Sequence, residues 1–158
     1  GVWETRAPLP AAYWVGGAEV LPSGEAVIER LLRDAPAPVC LLEAEDGPAS
    51  VTATTDGAIV AATDVRLARD GMTLRIDAPG AGWLVVQEAH YPGWTATVDG
   101  RPVPLRRANF LMRGVPVTAG AHVVALGYAP RGYFGLAGLA GLALGVSLAL
   151  IGRKSRSR

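Results

Sequence analysis

Cysteine occurs once in the 158 residues, at Cys40. One thiol forms no intrachain disulfide and builds no zinc site from cysteine pairs. It sits in the apolar run Val-Cys-Leu-Leu, where it reads as a small buried hydrophobe. Only two histidines are present, His90 and His122, with no second metal-ligating residue at helical or hairpin spacing. Both read as structural or surface side chains. Ahead of residue 133, serine occurs only at Ser23 and Ser50, neither in a nucleophile-elbow pattern. No glycine-rich phosphate loop joins a strand to a helix. The acids of the Glu-Ala-Glu-Asp-Gly stretch (43–47) read as solvated loop charges, without the partners a carboxylate dyad or cation site needs. No residue therefore reads as catalytic, no metal site is visible, and no cofactor is implied.

Phenylalanine and methionine are also scarce, at two each, although half of the chain is hydrophobic. The apolar mass is mainly Ala, Val and Leu. The 20 glycines and 12 prolines are scattered, which suits short strands and turns better than long helices. The length allows one domain of ordinary size with an accessory element. Basic residues are almost absent from the apolar end until its last stretch. Arg153, Lys154, Arg156 and Arg158 form a tail of about +4. The other 11 of the 15 basic residues face all 14 acids in residues 1–132, a charge near −3. A nucleic-acid binder would carry its cations as a patch on the folded domain. A basic tail behind an apolar run points to a membrane instead.

That run, 133–151, is 19 residues without a charge. As a helix it spans ~28 Å, close to the hydrocarbon thickness of a bilayer. Arg131 precedes it and the stronger positive cluster follows. The tail 153–158 is therefore expected in the cytoplasm and residues 1–130 outside it, with 131–152 as the transmembrane segment. Gly141 and Gly145, extended back to Ala137, form a small-residue face that lets another helix approach closely. The chain opens on Gly-Val-Trp-Glu, with neither an initiator Met nor a signal peptide, and reads as a C-terminal piece of a longer protein.

Residues 24–33 have the marks of one amphipathic helix. Ser23 is placed to cap it, Glu25 lies in the first turn, and Arg30 and Arg33 lie in the last. Val27, Ile28 and Leu31 are expected on its buried face, and Pro36 ends it. Short strand-like runs follow at 39–42, 49–55, 64–68, 72–77, 83–87, 94–98, 102–105, 110–117 and 122–128. The predicted fold is mainly β: an antiparallel β-sandwich, jelly-roll-like, with one short helix and a single C-terminal transmembrane helix. Asp99-Gly100, between two alternating runs, signals a type I′ hairpin turn.

The aromatic residues leave a choice open. Trp83, Tyr91, Trp94 and Tyr128 fit either a platform for sugar stacking or core packing. Trp94, Ala96 and Val98 share one strand face, which turns Trp94 inward. Tyr91 precedes the strand and is the more balanced case. Arg106, Arg107 and Asn109 follow the hairpin, where they fit either a lipid headgroup or polyprenyl-phosphate contact or a solvated strand end. Tyr91, Trp94, Arg106, Arg107 and Asn109 are the candidate ligand-binding residues.

The segment from Gly82 to Tyr133, GWLVVQEAHYPGWTATVDGRPVPLRRANFLMRGVPVTAGAHVVALGYAPRGY, resembles the C-terminal region of the YfhO family of bacterial membrane proteins. The matching pieces are YPGW, the strand into Asp-Gly, the Arg-Ala-Asn segment, RGVPV, the AG-H turn and the Y-x-P before the last helix. Upstream, LPAAYWVGGAEVLPSGEAVIERLL also resembles that family, in which a Leu-Pro segment runs into a strand and a short helix. The resemblance implies a polytopic protein with a GT-C-like glycosyltransferase fold, linked to transfer of sugars from a polyprenyl-phosphate donor to cell-envelope polymers. Its catalytic carboxylate would lie in an early loop outside this chain. The fragment itself would be an acceptor-binding or structural accessory. The expected partners are the lipid bilayer, upstream transmembrane helices, and a cell-envelope glycan or polyprenyl-phosphate sugar, with no nucleic acid. Two other readings compete with it: a membrane-anchored module holding a glycan or protein without an enzyme, and a purely structural cap on a transporter-like bundle.

Overall fold

Ser23 does cap a helix. Its hydroxyl accepts from the Ala26 N–H at 3.4 Å, and α1 runs Gly24–Arg33 as the sequence predicts. The computed structural model describes residues 8–33, 39–44 and 58–129. Val27 is fully buried, but Ile28 is 37% exposed, so the predicted three-residue apolar face is narrower than expected. The reason is that α1 lies along only one strand pair, β2 (Ala18–Leu21) and β3 (Cys40–Glu43), and one stripe of the helix meets it.

The remaining strands are β1 (Ala12–Val15), β4 (Ile59–Ala61), β5 (Thr63–Ala68), β6 (Gly71–Ala78), β7 (Gly82–Val86), β8 (Trp94–Val98), β9 (Arg101–Val103), β10 (Arg106–Ala108), β11 (Met112–Val117) and β12 (Gly120–Tyr128). They form one sheet in the order β2-β3-β10-β11-β7-β1-β4 and a second in the order β5-β6-β12-β8-β9. All pairings are antiparallel except β2 with β3, which run parallel because α1 carries the chain back between them. The expected wholly antiparallel arrangement is corrected at that edge.

The two sheets pack face to face, as a sandwich. Leu74, Ile76, Val124 and Leu126 of the second sheet meet Trp14, Leu84, Val86 and Val115 of the first. Strand β6 shows why the sequence folds this way. Met72, Leu74, Ile76 and Ala78 are buried, while Thr73, Arg75 and Asp77 alternate outward. The first sheet is apolar on its other face too, where Tyr13, Val15, Cys40, Leu42, Trp83 and Val85 form a second cluster. A strand buried on both faces loses the alternation that marks it in sequence. This explains why β1, buried along its whole length, carries no such signal.

Several predicted strand limits move by one or two residues, two of them with a local cause. The run 102–105 ends as a strand at Val103, and Pro104, which has no N–H to pair, separates β9 from β10. The run 110–117 begins only at Met112, because Asn109 and Phe110 hold left-handed backbone angles, φ 47° and 72°. The Asp99-Gly100 turn has φ of 51° and 76°, the signs a type I′ turn requires. Gly82 serves another purpose: a Cβ there would collide with the Val15 carbonyl and the Trp14 indole. The predicted strand 49–55, the run 133–151, the tail 153–158, and Ala137, Gly141 and Gly145 lie outside the described residues. Among the described residues, no helix is long and apolar enough to cross a membrane.

Candidate functional site

Strands β8 and β12 bring Trp94 opposite Tyr128, and the loop before β8 folds Tyr91 over both. Tyr91 meets Trp94 edge-on at 6.0 Å between ring centroids and Tyr128 at 5.3 Å; Trp94 and Tyr128 are 5.3 Å apart. Gly93, with φ 109°, makes the bend that allows this, and its carbonyl accepts from Ala129 N–H at 2.8 Å.

The three rings are not equivalent. Trp94 points inward, packed against the core between the sheets together with Val98. Its face is covered by the Arg113 guanidinium, 3.6 Å from the ring centroid. Its indole Nε1 is buried and has no hydrogen-bond partner among the described residues. Tyr91 is 43% exposed and is the ring that solvent can reach. Arg113 is itself 3% exposed and donates from Nε to the Ala89 carbonyl at 3.0 Å. Burial pushes its pKa down, against the opposing pull of Glu88 and Tyr91.

The other candidates are not brought into this cluster as a group. Arg106 and Arg107 are neighbours on β10, so their side chains leave opposite faces of the sheet. Arg107 donates to Glu43 at 2.8 Å, and that carboxylate is buried. Its register partner on β11 is Arg113. Two like charges stand opposite each other, tolerable because one meets a carboxylate and the other a carbonyl and a ring. Asn109 works as an internal brace. Its side-chain oxygen accepts from Leu41 N–H at 2.9 Å, its own N–H donates to the Leu41 carbonyl at 2.8 Å, and its amide nitrogen reaches the Tyr13 hydroxyl at 3.5 Å. Burial raises the Tyr13 pKa, Cys40 adds to that, and the Asn109 contact opposes it. Cys40 is buried, and burial pushes its thiol pKa far up, so it packs as the sequence implies.

Sequence reasoning missed Arg113. It occupies the same strand parity as Val115 and Val117, a cation at a core-facing position, and that was the available signal. It also missed a second polar constellation at the opposite end of the sandwich. There His122 Nδ1 donates to Asp99 at 2.7 Å, and Nε2 lies 3.2 Å from both the Thr118 hydroxyl and the Thr118 carbonyl. Asp99 also accepts from Val123 N–H at 2.9 Å. No group of three His, Cys, Asp or Glu side chains among the described residues is placed to hold a metal ion.

The family model described as the bacterial membrane protein YfhO matches residues 53–138, more than half of the chain. The chain belongs to the YfhO family. No curated protein and no solved structure matches it. The YfhO match runs from before β4 to beyond β12, so the aromatic end and the His122 end both lie within it. YfhO being a membrane-protein family, the chain is a region of a membrane protein.

Proposed function

We propose that this chain is the extracytoplasmic, non-catalytic C-terminal part of a polytopic YfhO protein that transfers sugars from a polyprenyl-phosphate donor to cell-envelope polymers. Within it, the exposed Tyr91 ring holds the sugar acceptor near the bilayer surface. One observation carries this reading. Tyr91 packs on Tyr128, the last residue of β12, five residues before the uncharged run 133–151 begins. Aromatic rings with polar tips favour the membrane–water boundary, and an exposed ring also stacks on sugar C–H faces. Trp94 and Arg113 stiffen the ring from behind, which lowers the ordering cost of binding.

The test uses membranes holding the full-length protein, with transfer of a labelled sugar from polyprenyl phosphate as readout. A stacking contact worth about 1 kcal/mol corresponds to about a fivefold change. Tyr91→Ala should raise the acceptor KM about fivefold while Tyr91→Phe retains the native value. Equal acceptor KM in all three proteins would remove Tyr91 from acceptor binding.

A further inference from the structure

Between the two sheets, at the end away from the aromatic cluster, lies a cleft of about 420 Å³. That volume is in the range that takes one small ligand. His122, which lines the cleft, lies six residues along β12 from Tyr128 of the aromatic cluster, about 20 Å at the usual rise per residue. Val103, Pro116 and Val117 supply apolar walls, and Asp99, Arg101, Thr118 and His122 supply the polar atoms. A smaller cleft of about 250 Å³ shares Asp99 and His122 as part of its lining.

The polar atoms divide into those already engaged and those available. Both Asp99 oxygens are engaged, one by His122 and the other by the Val123 N–H. The second imidazole nitrogen faces Thr118. When His122 is protonated, Nε2–H donates to the Thr118 carbonyl, and the Thr118 hydroxyl proton is released to a ligand. The Arg101 guanidinium has no hydrogen bond or ion pair among the described residues, although it is near enough to hold the Asp99 pKa down through its charge. The cleft thus presents hydrogen-bond donors, a guanidinium and a hydroxyl, over apolar walls. Its one carboxylate is already occupied.

We propose that this cleft binds a small ligand through an oxyanion, a phosphate or carboxylate, carried on a body with an apolar face such as a sugar ring. Arg101 pairs with the oxyanion, Thr118 donates to it, and the walls meet the ring. Asp99 and His122 are positioning residues that hold Thr118 in place. The site lies apart from Tyr91 and does not depend on the sugar-transfer reading.

Calorimetric titration of the full chain in detergent micelles with glucose 1-phosphate, glucuronate and glucose tests this. At least one of the two anionic probes should bind at least tenfold more tightly than glucose. Glucose 1-phosphate alone would identify phosphate as the group recognised, glucuronate alone a carboxylate, and both a general oxyanion site. Arg101→Gln, on an exposed edge strand, should fold normally and weaken the anionic probe about tenfold. The imidazole proton resonances of His122, assigned by their loss in His122→Gln, should move with the same titration curve. Failure of both anionic probes to bind, glucose binding as tightly as they do, or unchanged affinity in Arg101→Gln overturns the proposal.

Discussion

Trp94 and Tyr91 sit three residues apart and touch, yet the fold uses them differently. Trp94 is held between Arg113, Tyr128 and the sheet core, so truncating it removes packing and strips a buried cation of its aromatic face. Trp94→Ala is expected to cost about 3 kcal/mol, the lower end for such changes because the ring is only half-buried. Tyr91→Ala removes one exposed ring with two edge contacts, and about 1 kcal/mol is expected. Guanidinium denaturation of the two variants measures the difference; equal losses would contradict the division of roles. In position the two rings differ: Trp94 packs inward against the core and Tyr91 faces outward.

At the level of elements, His122 and Asp99 tie two hairpin turns together, one between β8 and β9 and the other between β11 and β12. The hydrogen bond to Asp99 raises the His122 pKa, and the same bond lowers that of Asp99. A raised histidine pKa stabilises the fold at pH values below its ordinary 6.5, and the gain disappears as pH rises through the folded value. A lowered aspartate pKa stabilises above its ordinary 3.8, with the gain lost as pH falls through the folded value. The tie is strongest between those ordinary values. The stability difference between the native protein and His122→Gln should therefore be larger at pH 5.5 than at pH 8.5. Chemical denaturation at both pH values checks this, and a difference independent of pH would mean that the ring acts by packing alone.

For the whole molecule, membership of a membrane-protein family agrees with the uncharged run 133–151 and the basic residues behind it. If that run anchors the chain, the expressed protein should stay in the membrane pellet through a high-pH carbonate wash, and a version ending at residue 129 should be released. Release of the complete chain by the wash would rule out a spanning helix. Tyr128, in the aromatic cluster, is the residue of β12 nearest the run 133–151 in sequence, and His122, in the cleft, comes six residues before it.

Much of this architecture was legible in the sequence wherever one face of an element meets water. The alternation in β6, the capped helix from Gly24 and the Asp99-Gly100 turn are local, and local sterics and burial fix each of them. The double-sided burial of β1 erased its period, so a strand there was expected only from the family resemblance, and the pairing of β4 and β7 on its two edges fixes its limits. The same holds for the candidate sites. The aromatic residues could be named from their spacing, and their order along the chain marked the family. Which ring faces water, that Asn109 braces β3, and that Asp99, Thr118 and His122 converge were decided by the pairing of β8 with β12 and by the stacking of the sheets. The Asn109–Leu41 and Asp99–His122 contacts join residues tens of positions apart, and no local preference along the chain encodes them.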